Sequence, residues 1–209
     1  MKALIYKDLV AVWKYCRRYL FLCGLCLALS VVSENAAFLQ MYPLILVGSL
    51  GSTLIAYDER DKWDSLVLTM PVTRRQYVSA KYLIVLILQS VVLVLTASAH
   101  ALQMVMSDGL VWRGFLADLG VMAVLACAAP SLILPFVFKN GSEKGRMAYL
   151  IVIGTIFGLT AACAVAVKRM NLMSAPVELP LPALSAVLAA LLYPASWLLS
   201  IRWYEKREF

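Results

Sequence analysis

The sequence predicts an all-α membrane protein with six transmembrane helices, organised as a single domain over residues 1–209. Hydrophobic residues make up 63% of the chain and charged residues 15%, with a mean hydropathy of +0.83. A soluble globular domain is more polar, with about 25% charged residues. Six apolar runs each approach the roughly 20 residues that a helix needs to cross a bilayer. They lie at residues 19–33, 37–57, 82–102, 115–138, 147–167 and 182–203.

The distribution of Lys and Arg predicts the orientation of these spans. With six spans, sixteen of the nineteen basic residues fall on the side of the N-terminus, and the other three are Arg113, Lys168 and Arg169. Short loops rich in Lys and Arg stay in the cytoplasm, so both termini are expected there. Because the basic residues border the apolar runs instead of forming a patch, the net charge of +7 does not indicate nucleic acid as a partner.

Residues 1–18 are expected to form an amphipathic helix in the membrane interface. Apolar residues, among them Leu9, Val12 and Trp13, recur on one helical face, and basic residues lie nearly opposite. Such a helix contacts membrane lipids, because its basic side chains reach anionic headgroups while its tryptophan sinks toward the acyl boundary. The residues predicted at the interface are Lys7, Trp13, Lys14 and Arg18. A positively charged lead-in to the first span is the simpler alternative, and both can hold.

Residues 58–81 form the longest polar interruption of the apolar sequence. The stretch opens with the acids Asp58, Glu59 and Asp61, which would stabilise the positive N-terminal end of a helix. Apolar residues then recur at positions i, i+3, i+4 and i+7, which predicts a short amphipathic helix. These residues are Trp63, Leu66, Val67 and Met70. A solvated connecting loop is the alternative that this pattern leaves open.

Two signals end this helix and begin the next one. Pro71 disfavours helical geometry at the residue before it and lacks a backbone N–H. Thr73 and Gln76 have the spacing of a capping box, and Arg74 and Arg75 are expected in water. The short helix would therefore be held between the second and third spans, on the cytoplasmic side.

The sequence lacks the signatures of ATP hydrolysis and of catalysis. No GxxxxGK[ST] phosphate-binding loop occurs, so this chain is not expected to hydrolyse ATP by that route. His100, the single histidine, is interpreted as interfacial, and Asp118 is the one acid expected within the outer leaflet. The five cysteines lie in or beside apolar runs and are expected to pack as small apolar side chains. We expect no catalytic residue, no metal site and no cofactor in this chain.

Small residues within the apolar runs predict close packing between helices. Gly48 and Gly51 form part of such a surface in the second run, and Gly154 with Gly158 makes a GxxxG in the fifth. Packing within one subunit is the expected role of both. Four prolines fall within predicted spans and are expected to bend or locally break those helices. They are Pro43, Pro130, Pro135 and Pro194.

The polar stretch carries a resemblance to a known family. Residues 57–64 (YDERDKWD), 68–75 (LTMPVTRR) and 81–83 (KYL) resemble the acidic-tryptophan, LPV-S-R and K-Y-L pattern of type 2 ABC exporter permeases, the membrane subunits of these transporters. The match is sharpest with the small bacterial permeases of phenol-soluble modulin and bacteriocin-type peptide exporters. Residues 1–8 (MKALIYKD) are similar to the start of these chains. Met70 and Thr73 replace the commoner leucine and serine.

The resemblance implies that Asp58 to Met70 is a coupling helix, which docks into a cleft on a separate ABC ATPase subunit. Two permease chains, as a homodimer or a related heterodimer, would join two ATPase subunits, which bind ATP and Mg. The cargo would be an amphipathic or hydrophobic peptide of toxin or antimicrobial type, exported across the bacterial cytoplasmic membrane. The implied docking residues are Asp58, Glu59, Lys62, Trp63, Asp64, Leu66 and Met70.

Two other functions are compatible with the span count and the length. The substrate-capture subunit of a vitamin importer has about six spans, but it needs no clamped cytoplasmic helix. A peptide immunity protein would sequester a peptide without transporting it. Co-purification with an ATPase separates the permease from both.

Overall fold

The computed structural model describes residues 2–33, 37–67, 72–107, 112–145 and 181–206, with positions 147, 150 and 154. Every regular element in this part of the chain is helical, which confirms the predicted all-α membrane fold. The helices are α1 (Lys2–Tyr15), α2 (Arg17–Val32), α3 (Ala37–Arg60), α4 (Trp63–Val67), α5 (Arg74–Ser107), α6 (Trp112–Asn140) and α7 (Leu181–Glu205).

Three of the described helices, α3, α5 and α6, are long and apolar enough to cross a membrane. Helices α1 and α2 meet at a bend of 69° and supply a fourth span if the pair counts as one. Helix α7 coincides with the sixth apolar run, at 182–203. The fifth run, at 147–167, lies outside the described residues except for three positions, so the count of six spans stays a prediction.

Helix α5 begins where the sequence predicted a capping box. The backbone N–H of Thr73 donates to Gln76 Oε1 at 3.1 Å, and the N–H of Gln76 donates to Thr73 Oγ1 at 3.3 Å. These reciprocal bonds satisfy two of the N–H groups that a helix leaves unpaired at its start. At 34 residues α5 is about 50 Å long, so it extends well beyond a hydrocarbon core of about 30 Å.

The boundary between α3 and α4 differs from the prediction. Asp58 and Glu59 lie in the last turns of α3, and the N–H of Asp61 continues its hydrogen-bond ladder by donating to the Tyr57 carbonyl at 2.9 Å. Lys62 then adopts a φ of 53°, and α4 begins only at Trp63. Asp58 and Glu59 therefore lie near the negative end of a helix dipole, so their predicted interaction with a positive N-terminus is wrong. Helix α3 continues to Arg60 because no glycine or proline falls between Gly51 and Lys62.

Two glycines of α3 allow its neighbours to approach closely. A Cβ atom on Gly48 would lie 2.7 Å from Ala129 Cβ of α6. A Cβ atom on Gly51 would lie 2.8 Å from Val85 Cγ2 of α5 and 2.9 Å from Leu134 Cδ2 of α6. The predicted packing within one subunit is confirmed for this surface, because helix axes can come this close only without a side chain. Gly158 lies outside the described residues.

The prolines do not interrupt the helices that contain them. Pro43 lies inside α3, Pro130 and Pro135 inside α6, and Pro194 inside α7, and each helix continues through them. Helix α6 ends instead at Asn140, where Gly141 has a φ of 84° and its N–H donates to the Val137 carbonyl at 2.9 Å. This left-handed cap ends the helix without strain because glycine has no Cβ.

Candidate functional site

Four charged residues meet at the end of the bundle that carries α4, and we call them the charge quartet: Lys7, Asp8, Asp58 and Lys81. Lys81 Nζ lies 2.8 Å from Asp8 Oδ1 and 2.6 Å from Asp58 Oδ2. Lys7 Nζ lies 3.3 Å from Asp8 Oδ1 and also pairs with Asp58. The side chains of Lys81, Asp8 and Asp58 are only 1%, 3% and 8% exposed. Two cations and two anions therefore meet with no net charge, and all of them except Lys7 are buried.

The charge quartet joins three helices that are distant in the sequence. Lys7 and Asp8 lie on α1, Asp58 on α3 and Lys81 on α5. The hydroxyl of Tyr77, also on α5, donates to Asp58 Oδ2 at 3.1 Å. Burying ions away from water is costly unless each keeps partners of opposite charge in good geometry. The arrangement consequently fixes how α1, α3 and α5 sit against one another.

Helix α4 is held against this cluster by only part of its predicted stripe. Val67 is buried, and Trp63 packs beside the same hydrophobic core with Lys7 Nζ 4.5 Å above its ring. The indole N–H of Trp63 is buried and contacts no acceptor among the described residues. Leu66, in contrast, is 47% exposed. The amphipathic helix thus attaches through Trp63 and Val67 and presents Leu66 outward.

The other implied docking residues have different surroundings. Asp58 is turned inward as a member of the charge quartet. Glu59 Oε2 accepts a hydrogen bond of 2.8 Å from the backbone N–H of Ser142, so it ties α3 to the segment after α6. Lys62 is exposed in the bend before α4. The Asp64 side chain and the whole of Met70 lie outside the described residues.

Helix α1 presents two different apolar faces. Leu4 and Val12 are buried against the bundle on the same side as Asp8. Trp13 is 73% exposed, and Leu9 is exposed beside it. The single apolar face predicted from sequence is therefore divided, because its Val12 side packs on protein while its Leu9 and Trp13 side remains outside.

The predicted interface cations divide in the same way. Lys14 and Arg18 are exposed near the α1–α2 bend. Lys7 is instead drawn into the charge quartet, where its side chain is 29% exposed. Of the four residues predicted at the membrane interface, Trp13, Lys14 and Arg18 are thus positioned outside the bundle.

A second polar cluster links α5, α6 and α7 inside the bundle. The Tyr82 hydroxyl lies 2.8 Å from Ser196 Oγ and 2.6 Å from Ser200 Oγ. Ser196 Oγ in turn donates to the carbonyl of Ser131 at 2.8 Å, and the hydroxyl of Tyr193 donates to the Tyr82 carbonyl at 2.7 Å. Tyr82 itself is 2% exposed. The cluster fixes the position of α7 along α5, which is the third predicted span.

His100 and Asp118 meet at the opposite end of the molecule. His100 Nε2 lies 3.1 Å from Asp118 Oδ2, and its ring stacks on Phe115 with 5.8 Å between centroids. The His100 side chain is 11% exposed and that of Asp118 is 52% exposed. This pair joins α5 to α6, so His100 has a specific partner in addition to its predicted place near the end of a span.

Comparison with known families agrees with this architecture. A sequence model described as "ABC-2 family transporter protein" matches residues 3–205, from α1 to the end of α7. The chain belongs to the ABC-2 transporter family. As an ABC-2 permease it is an integral membrane protein and the membrane subunit of an ABC transporter, and it partners an ABC ATPase subunit instead of hydrolysing ATP itself. No curated protein matches the chain.

The family assignment confirms the resemblance of the sequence to type 2 ABC permeases, but it does not test the closer likeness to peptide exporters. Sequence reasoning nevertheless missed two members of the charge quartet, Asp8 and Lys81. Asp8 is an acid in an N-terminal segment that is otherwise basic and apolar, and Lys81 precedes a long apolar run. Each was a signal for a buried pair, since a charge among apolar residues needs a partner.

Proposed function

We propose that this ABC-2 permease exports an amphipathic or hydrophobic peptide, with α4 as the element that docks on the ATPase. The observation that carries the proposal is the position of α4, a short helix joined at both ends to the long helices α3 and α5. Trp63 and Val67 secure it to the bundle, and Leu66 is exposed for a partner. A helix in a hydrophobic cleft is a recurrent mode of protein recognition.

The charge quartet gives this docking helix a mechanical connection to the membrane. Lys81 on α5 contacts both Asp58 on α3 and Asp8 on α1. A displacement of α4 would therefore move the ends of three helices together, as in a rigid-body transition. In this proposal Asp58 acts by holding α3 to α5 and α1, and Leu66 contacts the ATPase directly.

Polar and apolar docking contacts come from the same region. Lys62 is exposed beside α4, and Glu59 lies next to a cleft of about 500 Å³ that Arg60, Ser142 and Lys144 also line. We include Asp64 and Met70 in the docking surface on the resemblance of the sequence. Polar rim contacts of this kind favour the correct partner, and the apolar residue supplies most of the affinity.

The finer arrangement of the transporter follows the charge distribution and the family. We propose that both termini and residues 58–81 lie in the cytoplasm of a bacterial cell, because the basic residues gather on that side. Two permease chains, identical or related, would then form the export path above two ATPase subunits that bind ATP and Mg.

The proposed cargo rests on the apolar character of the surfaces available to it. A cleft of about 360 Å³ between α5 and α7 is lined almost entirely by apolar atoms. Leu83, Leu86 and Trp197 are among the residues that supply them. Such a surface offers adaptable contact to molecules that partition into membranes and little directional chemistry for a sugar or an ion. A lipid-like molecule is the second candidate cargo. The family assignment favours a permease over an importer's capture subunit or an immunity protein.

Replacing Leu66 with serine is expected to weaken capture of the ATPase by about tenfold or more, because it removes the exposed apolar contact of α4. The measurement is retention of the ATPase subunit on the tagged, detergent-purified permease. In vesicles that contain both subunits, an amphipathic helical peptide is expected to stimulate ATP hydrolysis with the wild-type chain and much less with Leu66→Ser.

Leu95→Ser is the matched control, because Leu95 is 50% exposed but lies in the middle of α5, far along the helix from α4. This control should capture the ATPase as the wild-type chain does. Equal capture by Leu66→Ser and wild type would reject the docking role. Stimulation by a lipid-linked or polysaccharide precursor, but not by peptide, would reassign the cargo.

A further inference from the structure

A basic cleft lies at the bend between α1 and α2. It has a volume of about 420 Å³, and Lys14, Arg17 and Arg18 are among the residues that line it. Tyr15 and Tyr57 form one wall, where their rings stack with 4.5 Å between centroids. Three cations thus converge on one concave site at the end of the bundle that carries the charge quartet.

Lys14 Nζ lies over the Tyr15 ring, 5.4 Å from its centroid, and Arg17 and Arg18 are exposed, so all three cations can reach a ligand in the cleft. Among the described residues, no carboxylate lies within ion-pair distance of Lys14, Arg17 or Arg18. The negative C-terminal end of α1 and the positive N-terminal end of α2 lie side by side at this bend, so the two helix dipoles largely offset each other and the three side-chain cations supply the field for an anion. Arginine matches phosphate well, because its guanidinium group donates two parallel hydrogen bonds.

The surface beside the cleft indicates what carries the phosphate. Leu22 lines the cleft, and Leu22, Leu25 and Leu29 are all exposed along one face of α2. Together with Arg18 they occupy positions i, i+4, i+7 and i+11 on one helical face. This row of side chains is about 16 Å long. That length is close to the roughly 15 Å depth of one leaflet's hydrocarbon. A cationic site that continues into an apolar stripe of this length fits a lipid, whereas free phosphate would use only the first part.

We propose that the α1–α2 cleft binds the headgroup phosphate of an anionic phospholipid, with an acyl chain along Leu22, Leu25 and Leu29. The lipid would bridge α1 and α2 to the end of α3 through the wall formed by Tyr57, the residue before Asp58. The site is therefore specific for a headgroup at one position, in contrast to diffuse attraction between basic residues and a membrane surface. The proposal does not depend on ATPase docking.

The test counts lipids retained by the full-length, detergent-purified chain in native mass spectrometry. Phosphatidylglycerol and phosphatidylcholine with the same acyl chains are titrated separately, and inorganic phosphate is added as a competitor. Wild type is expected to retain one tightly held phosphatidylglycerol per chain. Lys14→Gln, Arg17→Gln and Arg18→Gln together should weaken this binding by about fivefold per cation, roughly a hundredfold in all.

The control triple Arg60→Gln, Lys144→Gln and Lys206→Gln removes as many exposed cations at the same end and should bind within about twofold of wild type. If both triple variants lose the same affinity for phosphatidylglycerol, the binding is diffuse electrostatic attraction and the proposed site is wrong. Equal retention of the two lipids, or displacement by inorganic phosphate at matched concentration, would also overturn it.

Arg17→Lys with Arg18→Lys keeps the charge and provides a test if the glutamine triple does not fold. Because lysine cannot donate two parallel hydrogen bonds, a severalfold loss is expected for the anionic lipid alone. Unchanged affinity in this variant would contradict a site built around the guanidinium groups.

Discussion

Replacing Lys81 with methionine is expected to lower the free energy of unfolding by about 3–5 kcal/mol, because it leaves Asp8 and Asp58 buried with one cation fewer. The remaining partner, Lys7, would have to balance two carboxylates while keeping its contact with the Trp63 ring. The measurement is reversible unfolding in mixed micelles, followed by tryptophan fluorescence. The size of this destabilisation reflects the cost of an unbalanced buried charge and not the net contribution of an ion pair to stability.

Arg75→Met provides the matched control on the same helix. Arg75 pairs with Glu205, but its side chain is 72% exposed, so its removal should leave the free energy of unfolding close to that of the wild type. Adding Asp8→Asn to Lys81→Met should recover part of the loss, because the cluster becomes neutral again. If Lys81→Met is as stable as the Arg75 control, the charge quartet does not hold these helices together.

Replacing Tyr82 with alanine is expected to lower the free energy of unfolding by about 3–5 kcal/mol, because it leaves a cavity where a buried aromatic ring packs between helices. The Tyr82 ring stacks on Phe138 and meets Tyr193 edge-on, with centroids 6.4 Å and 5.5 Å away. Its hydroxyl also joins α5 to Ser196 and Ser200 of α7. The measurement is the same unfolding assay.

Tyr82→Phe separates packing from hydrogen bonding. This variant keeps the ring and the carbonyl that accepts from Tyr193, but it loses the bonds to the two serines. Hydrogen bonds between transmembrane helices contribute about 0.6 kcal/mol on average, so a loss of about 1 kcal/mol is expected. A loss in Tyr82→Phe as large as that in Tyr82→Ala would contradict the packing argument.

Features that depend on local signals could be predicted from the sequence. The capping box of Thr73 and Gln76 forms as its spacing indicates, because both partners lie within one helical turn. The close approach at Gly48 and Gly51 was also predictable, since small residues on one helical face let a neighbouring helix pack closely against it. The apolar runs likewise predicted where α2, α3, α5, α6 and α7 lie, because the length of an apolar run is a local property of the sequence.

Features that depend on distant partners could not be predicted in the same way. Asp58 looked like a residue at a helix start, but its carboxylate is neutralised by Lys7, fifty-one positions earlier, and by Lys81. Periodicity likewise grouped Leu66 with Trp63 and Val67, although only tertiary packing decides which of them face the bundle. The family match then identified the class of protein, which the fold alone does not determine.

The central claim is that α4 meets the ATPase, and site-specific photo-crosslinking tests it most directly. A photo-reactive residue is placed at Leu66 or at Leu95, which are similarly exposed at 47% and 50% but lie on α4 and within α5. In cells that contain both subunits, we expect a crosslink to the ATPase from position 66 and none from position 95. That result would also place α4 on the side of the membrane where the ATPase lies. A crosslink from position 95 alone, or from neither position in a complex that still co-purifies, would contradict the account.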